Sequence, residues 1–175
     1  MPGNIVLIGF MASGKTTVGR LLAGKLGWNF FDTDTEVEKK ASCSIAELFA
    51  REGEAYFREL EKEVIARLME GTRAVVSTGG GAVLAPENVE RLRRGNKVIW
   101  LKVDEATVWR RVAGSADRPL VRGRSREEVA ALLKKREPYY SFADLKIDTA
   151  AKGPEEIVEE IMEGLKGWPA GCRWS

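Results

Sequence analysis

Histidine is absent from all 175 residues, and cysteine occurs only at Cys43 and Cys172, far apart in the chain. Neither a zinc site nor a disulfide framework is supported, so any bound metal must take oxygen ligands. The missing imidazole also removes the commonest general base, which leaves carboxylates, lysine, arginine and backbone amides to carry any catalysis. No charge is in large excess: 28 basic and 26 acidic residues leave a net charge of +2, too weak a field to attract nucleic acid. No apolar run approaches the ~20 residues that span a bilayer. Met1-Pro2-Gly3-Asn4 leads into a strand-like segment with no charged-then-apolar signal. The expectation is a cytoplasmic protein with no membrane or nucleic-acid partner, and a chain of this length builds one domain over residues 1–175.

Short apolar or β-branched runs at Ile5–Ile8, Asn29–Phe31, Ala74–Ser77, Lys97–Val103 and Leu145–Ile147 read as strands. Most are nearly continuous in apolar character, as in strands buried on both faces, and the stretches between them are long enough for helical crossovers. The pattern predicts an α/β sandwich. Val18, Leu21, Leu22 and Leu26 mark one face of a first helix, and Phe57, Leu60, Val64 and Leu68 mark another. Ser44…Glu47 and Ser125…Glu128 have capping-box spacing, and Pro86 and Gly95 bracket a short helix. The tail from Gly167 to Ser175 is irregular and is assigned no function.

Between the first strand and first helix stands Gly9-Phe-Met-Ala-Ser-Gly14-Lys15-Thr16, which has the phosphate-loop spacing in the required strand-to-helix context. Glycine lets such a loop turn its N–H groups toward phosphate oxygens, and the helix N-terminus behind it adds a favourable field. Lys15 supplies a point charge, and the Thr16 hydroxyl can serve Mg²⁺ bridging two phosphates. Nucleotide binding follows as the expectation.

The second strand closes on Asp32-Thr33-Asp34. Strand alternation would put both acids on one face with Cα atoms about 7 Å apart, one serving a metal shell and the other a substrate hydroxyl. Either acid could instead merely cap the next helix. The third strand, Arg73–Thr78, carries no acid, so Asp32 substitutes for the usual metal-shell aspartate. Asp34 is then the candidate to orient the accepting hydroxyl. Phosphoryl transfer through a loose transition state asks more of orientation than of basicity.

Gly79-Gly80-Gly81 allows close approach of a ligand or a simple flexible turn. Arg58, one residue off its helix's apolar stripe, could be a plain solvated arginine, and Arg136, at a helix end, could simply complement the helix dipole. The stretch from Gly114 to Arg124 has the glycine, serine and arginine content of a lid, with Arg118 a candidate partner for developing charge.

Taken together, the phosphate loop, Asp32-Thr33-Asp34, Arg58, Gly79-Gly80-Gly81, Arg118-Pro119-Leu120 and Arg136-Glu-Pro-Tyr-Tyr140 closely resemble the shikimate kinase family over almost the whole chain. The resemblance implies a three-layer P-loop NTPase sandwich with a five-stranded parallel sheet in the order 2-3-1-4-5, a substrate-binding region near 33–61 and a lid near 112–124. It implies ATP-dependent phosphorylation of the 3-hydroxyl of shikimate by a monomer that uses Mg²⁺. Gly9, Ala12, Ser13, Gly14, Lys15, Thr16, Thr17, Arg111 and Arg118 would then meet ATP, with Arg110 an alternative to Arg111 at adenine. Thr16 and Asp32 would serve the metal. Asp34, Arg58, Gly79, Gly80, Gly81 and Arg136 would meet shikimate, the two arginines at its carboxylate. Lys15, Asp34 and Arg118 would be catalytic. Ala12 stands where many members have glycine, and its methyl is the least bulky addition. A gluconate-kinase-like enzyme would share the loop and lid without needing the paired arginines. A silent nucleotide-binding module would not need the substrate residues.

Overall fold

A computed structural model describes residues 3–112 and 125–168. The expected lid with Arg118, and the tail beyond Trp168, lie outside the described residues. Five strands, β1 (Ile5–Ile8), β2 (Asn29–Asp32), β3 (Ala74–Ser77), β4 (Lys97–Lys102) and β5 (Leu145–Asp148), form one sheet in the order β2-β3-β1-β4-β5. All four pairings are parallel. The helices are α1 (Lys15–Leu26), α2 (Thr33–Ala41), α3 (Ile45–Glu70), α4 (Pro86–Arg93), α5 (Glu105–Val112), α6 (Arg126–Arg136) and α7 (Pro154–Gly164). Two 3₁₀ turns, Ala82–Leu84 and Glu137–Tyr140, complete the described elements.

The continuous apolar strands are explained by two buried faces. Ile5, Leu7, Val75, Ile99, Leu101 and Ile147 pack with Val18 and Leu22 of α1 and with Ile157, Val158 and Ile161 of α7. The alternate residues Val6, Ile8, Val98 and Trp100 pack on the other side with Leu92, Val108, Val129 and Tyr140. Ala74 and Val76 meet Phe57, Leu60, Val64 and Leu68 of α3, the stripe the spacing predicted. Each aliphatic side chain so enclosed contributes about 1.5–3 kcal/mol. The first helix departs from expectation, because Leu21 is 40% exposed. Its buried stripe runs instead through Val18, Gly19, Leu22 and Ala23.

Both capping boxes form, Ser44 with Glu47 and Ser125 with Glu128. The long helix α3 is interrupted at Gly53, whose φ of 81° and ψ of 175° are not helical. A built Cβ there would touch nothing within 4 Å, so glycine is required by its backbone angle and not by space. The register aligns Asp32 with Ser77 and Leu7 with Ser77. The loops after β1, β2 and β3 therefore leave the sheet at one level, at its carboxyl edge, where open parallel sheets hold ligands.

Candidate active site

The phosphate loop leaves β1 and enters α1 through Gly14, the helix N-cap, at φ 93°. The Nζ of buried Lys15 donates to the carbonyls of Gly9 (2.9 Å) and Phe10 (2.8 Å) and to Ser13 Oγ (3.3 Å). These bonds keep the ammonium against the loop. Thr17 lies on the exposed side of the first helical turn. Arg111 Nη1 donates to the Ala12 carbonyl at 2.7 Å. Arg110 turns back to Thr107 of its own helix. Of the two arginines, Arg111 is the one against the loop.

Ala12 itself has φ 60°. The cost of alanine here lies in its left-handed backbone and not in the bulk of its methyl. Ala12→Gly is expected to gain about 0.5–1 kcal/mol net of the freer unfolded chain. Denaturant unfolding of the two proteins measures it, and a destabilised glycine variant contradicts the strain.

Asp32 both caps and connects. Its Oδ1 accepts from the Asp34 amide (3.1 Å) as N-cap of α2, while its Oδ2 accepts from Thr16 Oγ1 at 2.8 Å. Among the described residues no cluster of three or more His, Cys, Asp or Glu could enclose a metal. The neighbouring Thr16 hydroxyl and Asp32 carboxylate form an oxygen-only pair suited to a hard divalent cation that takes its other ligands from phosphates and water. The expected strand geometry fails at Asp34. The strand ends at Asp32, and Asp34 stands in the first turn of α2, so helical geometry and not alternation aims its carboxylate.

That carboxylate faces the glycine triplet, and the triplet explains the site's shape. A Cβ on Gly79 would come within 2.6 Å of Asp34 Oδ1 and 3.1 Å of Glu61 Oε1. One on Gly80 would stand 3.3 Å from the Met11 amide of the phosphate loop, and one on Gly81 would strike the Arg58 guanidinium at 2.7 Å. The three glycines thus let one backbone segment touch the phosphate loop, Asp34 and Arg58 together. Arg58 is held on α3 by Glu54 at 3.0 Å and by Glu61 at 2.9 Å. Arg136 ends α6 only 9% exposed, its Nη1 without a partner among the described residues. Its charge reaches both Glu61 and Tyr140.

Glu61 is the acid that sequence reading passed over. It is 1% exposed, and its Oε1 has no partner among the described residues. The signal was its spacing of three from Arg58 on the buried stripe of α3. Burial raises its carboxyl above the ordinary range against the opposing pull of Arg58. Burial also pushes Asp34 up to about 6, helped by the charges of Asp32 and Glu61 and opposed by Lys15 and Arg58. Measured from one point beside Gly79, the facing Asp34 and Glu61 oxygens lie within about 6 Å of each other, close enough to resist joint ionisation.

The shikimate kinase family model matches residues 11–166. A shikimate kinase from Moorella thermoacetica is 57% identical over 168 residues, which cover 96% of this chain and 97% of that protein. Among solved structures, shikimate kinase from Aquifex aeolicus superposes with a TM-score of 0.84 at 40% identity, covering 94% of this chain and 96% of that one. The Acinetobacter baumannii enzyme, solved in complex with shikimate, superposes with a TM-score of 0.87 at 35% identity, covering 92% of this chain and 91% of that one. A gluconokinase from Sinorhizobium meliloti shares only the fold, at 18% identity and a TM-score of 0.63. With a family model spanning most of its length and relatives aligned over nearly all of it, the chain belongs to the shikimate kinase family.

Proposed function

We propose that this chain transfers the γ-phosphoryl group of ATP to the 3-hydroxyl of shikimate, releasing ADP and shikimate 3-phosphate. The observation that carries this is the convergence of the phosphate loop, Asp34 and Arg58 on Gly79–Gly81, which sets a phosphate donor beside a group able to order a hydroxyl. Kinship to a shikimate-bound structure supplies the acceptor's identity.

Residues Gly9, Ala12, Ser13, Gly14, Lys15, Thr16 and Thr17 line the ATP phosphates, with Arg111 at adenine. Thr16 and Asp32 would hold Mg²⁺, which would offset the negative charge of the ATP phosphates. Asp34 orients the 3-hydroxyl and receives its proton as the new P–O bond forms and the bond to the ADP oxygen breaks. Arg58 and Arg136 grip the shikimate carboxylate, and residues 33–61 with the glycine triplet enclose the ring. Arg118, from the lid near 112–124, meets the transferring group. No described helix is long and apolar enough to cross a membrane, and we place the enzyme in the cytoplasm as a single-domain monomer.

Purified protein with Mg²⁺ and ATP tests the assignment through ADP release with shikimate, gluconate, nucleoside monophosphates or no acceptor. Stimulation by shikimate alone is expected. Stimulation by another acceptor keeps the kinase and moves its substrate, whereas binding of ATP without any stimulation points to a silent module.

A pH profile follows from Asp34. The ionised carboxylate is the competent form, so kcat/KM for shikimate should fall toward tenfold per unit on the acid side as Asp34 takes up its proton, which it does near pH 6 in the free protein and at lower pH once Mg²⁺ beside Asp32 offsets that neighbour's charge. A profile flat down to pH 4 would exclude Asp34 from the role.

A further inference from the structure

The glycine triplet lies against Asp34, Glu61, Arg58 and the phosphate loop, and four of the six hydrogen-bonding groups of its backbone have partners. The Gly79 carbonyl accepts from the Ala82 amide (3.0 Å), and the Gly81 carbonyl accepts from the Leu84 amide (3.1 Å). Two side-chain hydroxyls from opposite sides complete the set. The Gly79 amide donates to Thr33 Oγ1 at 2.9 Å, and the Gly80 carbonyl accepts from the Tyr140 hydroxyl at 2.9 Å. Within the triplet, the N–H groups of Gly80, which is half-buried, and of Gly81, which is buried, have no acceptor among the described residues.

Both hydroxyls are fixed in place. Thr33 is fully buried in the first turn of α2, between Asp32 and Asp34. Tyr140 is 1% exposed, its ring packed on Trp100 at 5.8 Å between centroids. Tyr140 approaches from the end of the 3₁₀ turn that follows Arg136. The two hydroxyls therefore tie the triplet to the element bearing Asp34 on one side and to the element following Arg136 on the other.

We propose that Thr33 and Tyr140 are positioning residues that clamp Gly79–Gly81 from both sides, so that the two uncommitted amides stay turned to the acceptor substrate in register with Asp34 and Arg136. The clamp acts on the acceptor half of the site. The nucleotide half is held by the phosphate loop's own bonds through Lys15, so the larger effect of loosening the triplet falls on the acceptor. The kinetic consequence rests on the shikimate assignment above, whereas the clamp itself can be measured on the free protein.

Thr33→Val and Tyr140→Phe keep shape and remove one hydroxyl each, and Thr33→Ser keeps the hydroxyl. In the full chain, amide hydrogen exchange resolved at Gly79 should be at least ~100-fold faster in Thr33→Val than in the parent or in Thr33→Ser. In Tyr140→Phe the Gly80 and Gly81 amide resonances should shift. With shikimate, both hydroxyl-free variants should raise KM about 5–20-fold with kcat within about threefold and the KM for ATP unchanged, and Thr33→Ser should restore the parent value. Unchanged Gly79 exchange in folded Thr33→Val overturns the clamp whatever the substrate proves to be. Altered exchange with an unchanged KM, or equal rises in both KM values, overturns its role at the acceptor. A parent unresponsive to shikimate but with the predicted exchange pattern sinks the substrate assignment and leaves the clamp standing.

Discussion

Asp34→Asn should be at once nearly inactive and more stable than the parent at pH 8. The asparagine keeps the size of the side chain but cannot take a proton from the accepting hydroxyl, a loss of about 10²–10⁴ in kcat. The stability change follows from the raised ionisation of Asp34, from 3.8 to about 6. An acid whose native pKa is raised binds in the folded state a proton that the unfolded state has released. Its favourable contribution is complete below pH 4 and is lost as the pH climbs through 6. At pH 8 the ionised carboxylate costs up to about 3 kcal/mol, by ~1.4 kcal/mol per unit. Asparagine carries no such charge, so its thermal midpoint should exceed the parent's at pH 8 and approach it at pH 5. Steady-state kinetics and melting curves at both pH values decide the matter. Turnover within a few-fold of the parent sinks the role of Asp34 at the hydroxyl. An unchanged midpoint at pH 8 denies that the charge is held against its preference.

Arg58→Ala should raise the KM for shikimate by about 10–150-fold, the worth of one charge-assisted bond of ~1.5–3 kcal/mol to the acceptor's carboxylate. It has a second effect that is weaker in Arg136→Ala, because the Arg136 charge reaches Glu61 without a hydrogen bond to it. Arg58 donates to buried Glu61 at 2.9 Å, and its loss strands that carboxylate without its partner, which lowers stability by about 3–5 kcal/mol. Arg58 also pulls the ionisation of Asp34 down. Without it the acid limb of kcat/KM should move to higher pH. Arg58→Ala with Glu61→Gln should recover stability, because no buried charge is stranded, yet leave KM as high as in the single variant. Urea unfolding beside the pH profile separates the effects. A KM that recovers in the double variant would mean that Arg58 serves Glu61 and not the substrate.

The sheet and both capping boxes were legible because each follows from local pattern: runs such as Ile5–Ile8 are apolar throughout only when both faces are covered. Leu21 was misjudged because hydrophobicity marks a helix face only to within a residue, and close contact of Gly19 with Phe30 rotates the buried stripe. For Asp34 the expected geometry was wrong, since the strand ends at Asp32 and Asp34 opens α2. Nothing local in Asp32-Thr33-Asp34 says whether the strand continues, and the Asp32 cap on the Asp34 amide decides it. Glu61, Thr33 and Tyr140 escaped because their importance is entirely tertiary. A glutamate on a helix, a threonine between two aspartates and one of two adjacent tyrosines have ordinary local explanations. They matter only because the chain brings Gly79–Gly81 against all three.

The strand order acts as a ruler. The phosphate loop follows β1 and Asp34 follows β2, with β3 lying between them. Two inter-strand steps of about 4.8 Å therefore set the gap between the phosphate loop and the start of the helix that bears Asp34, some ~10 Å in all. Backbone hydrogen bonds enforce that span, so side-chain substitutions should scarcely alter it. Change in this scaffold is therefore free to act on what the acceptor looks like, through α3 and α6, while the spacing between the phosphate loop and the start of α2 stays constant.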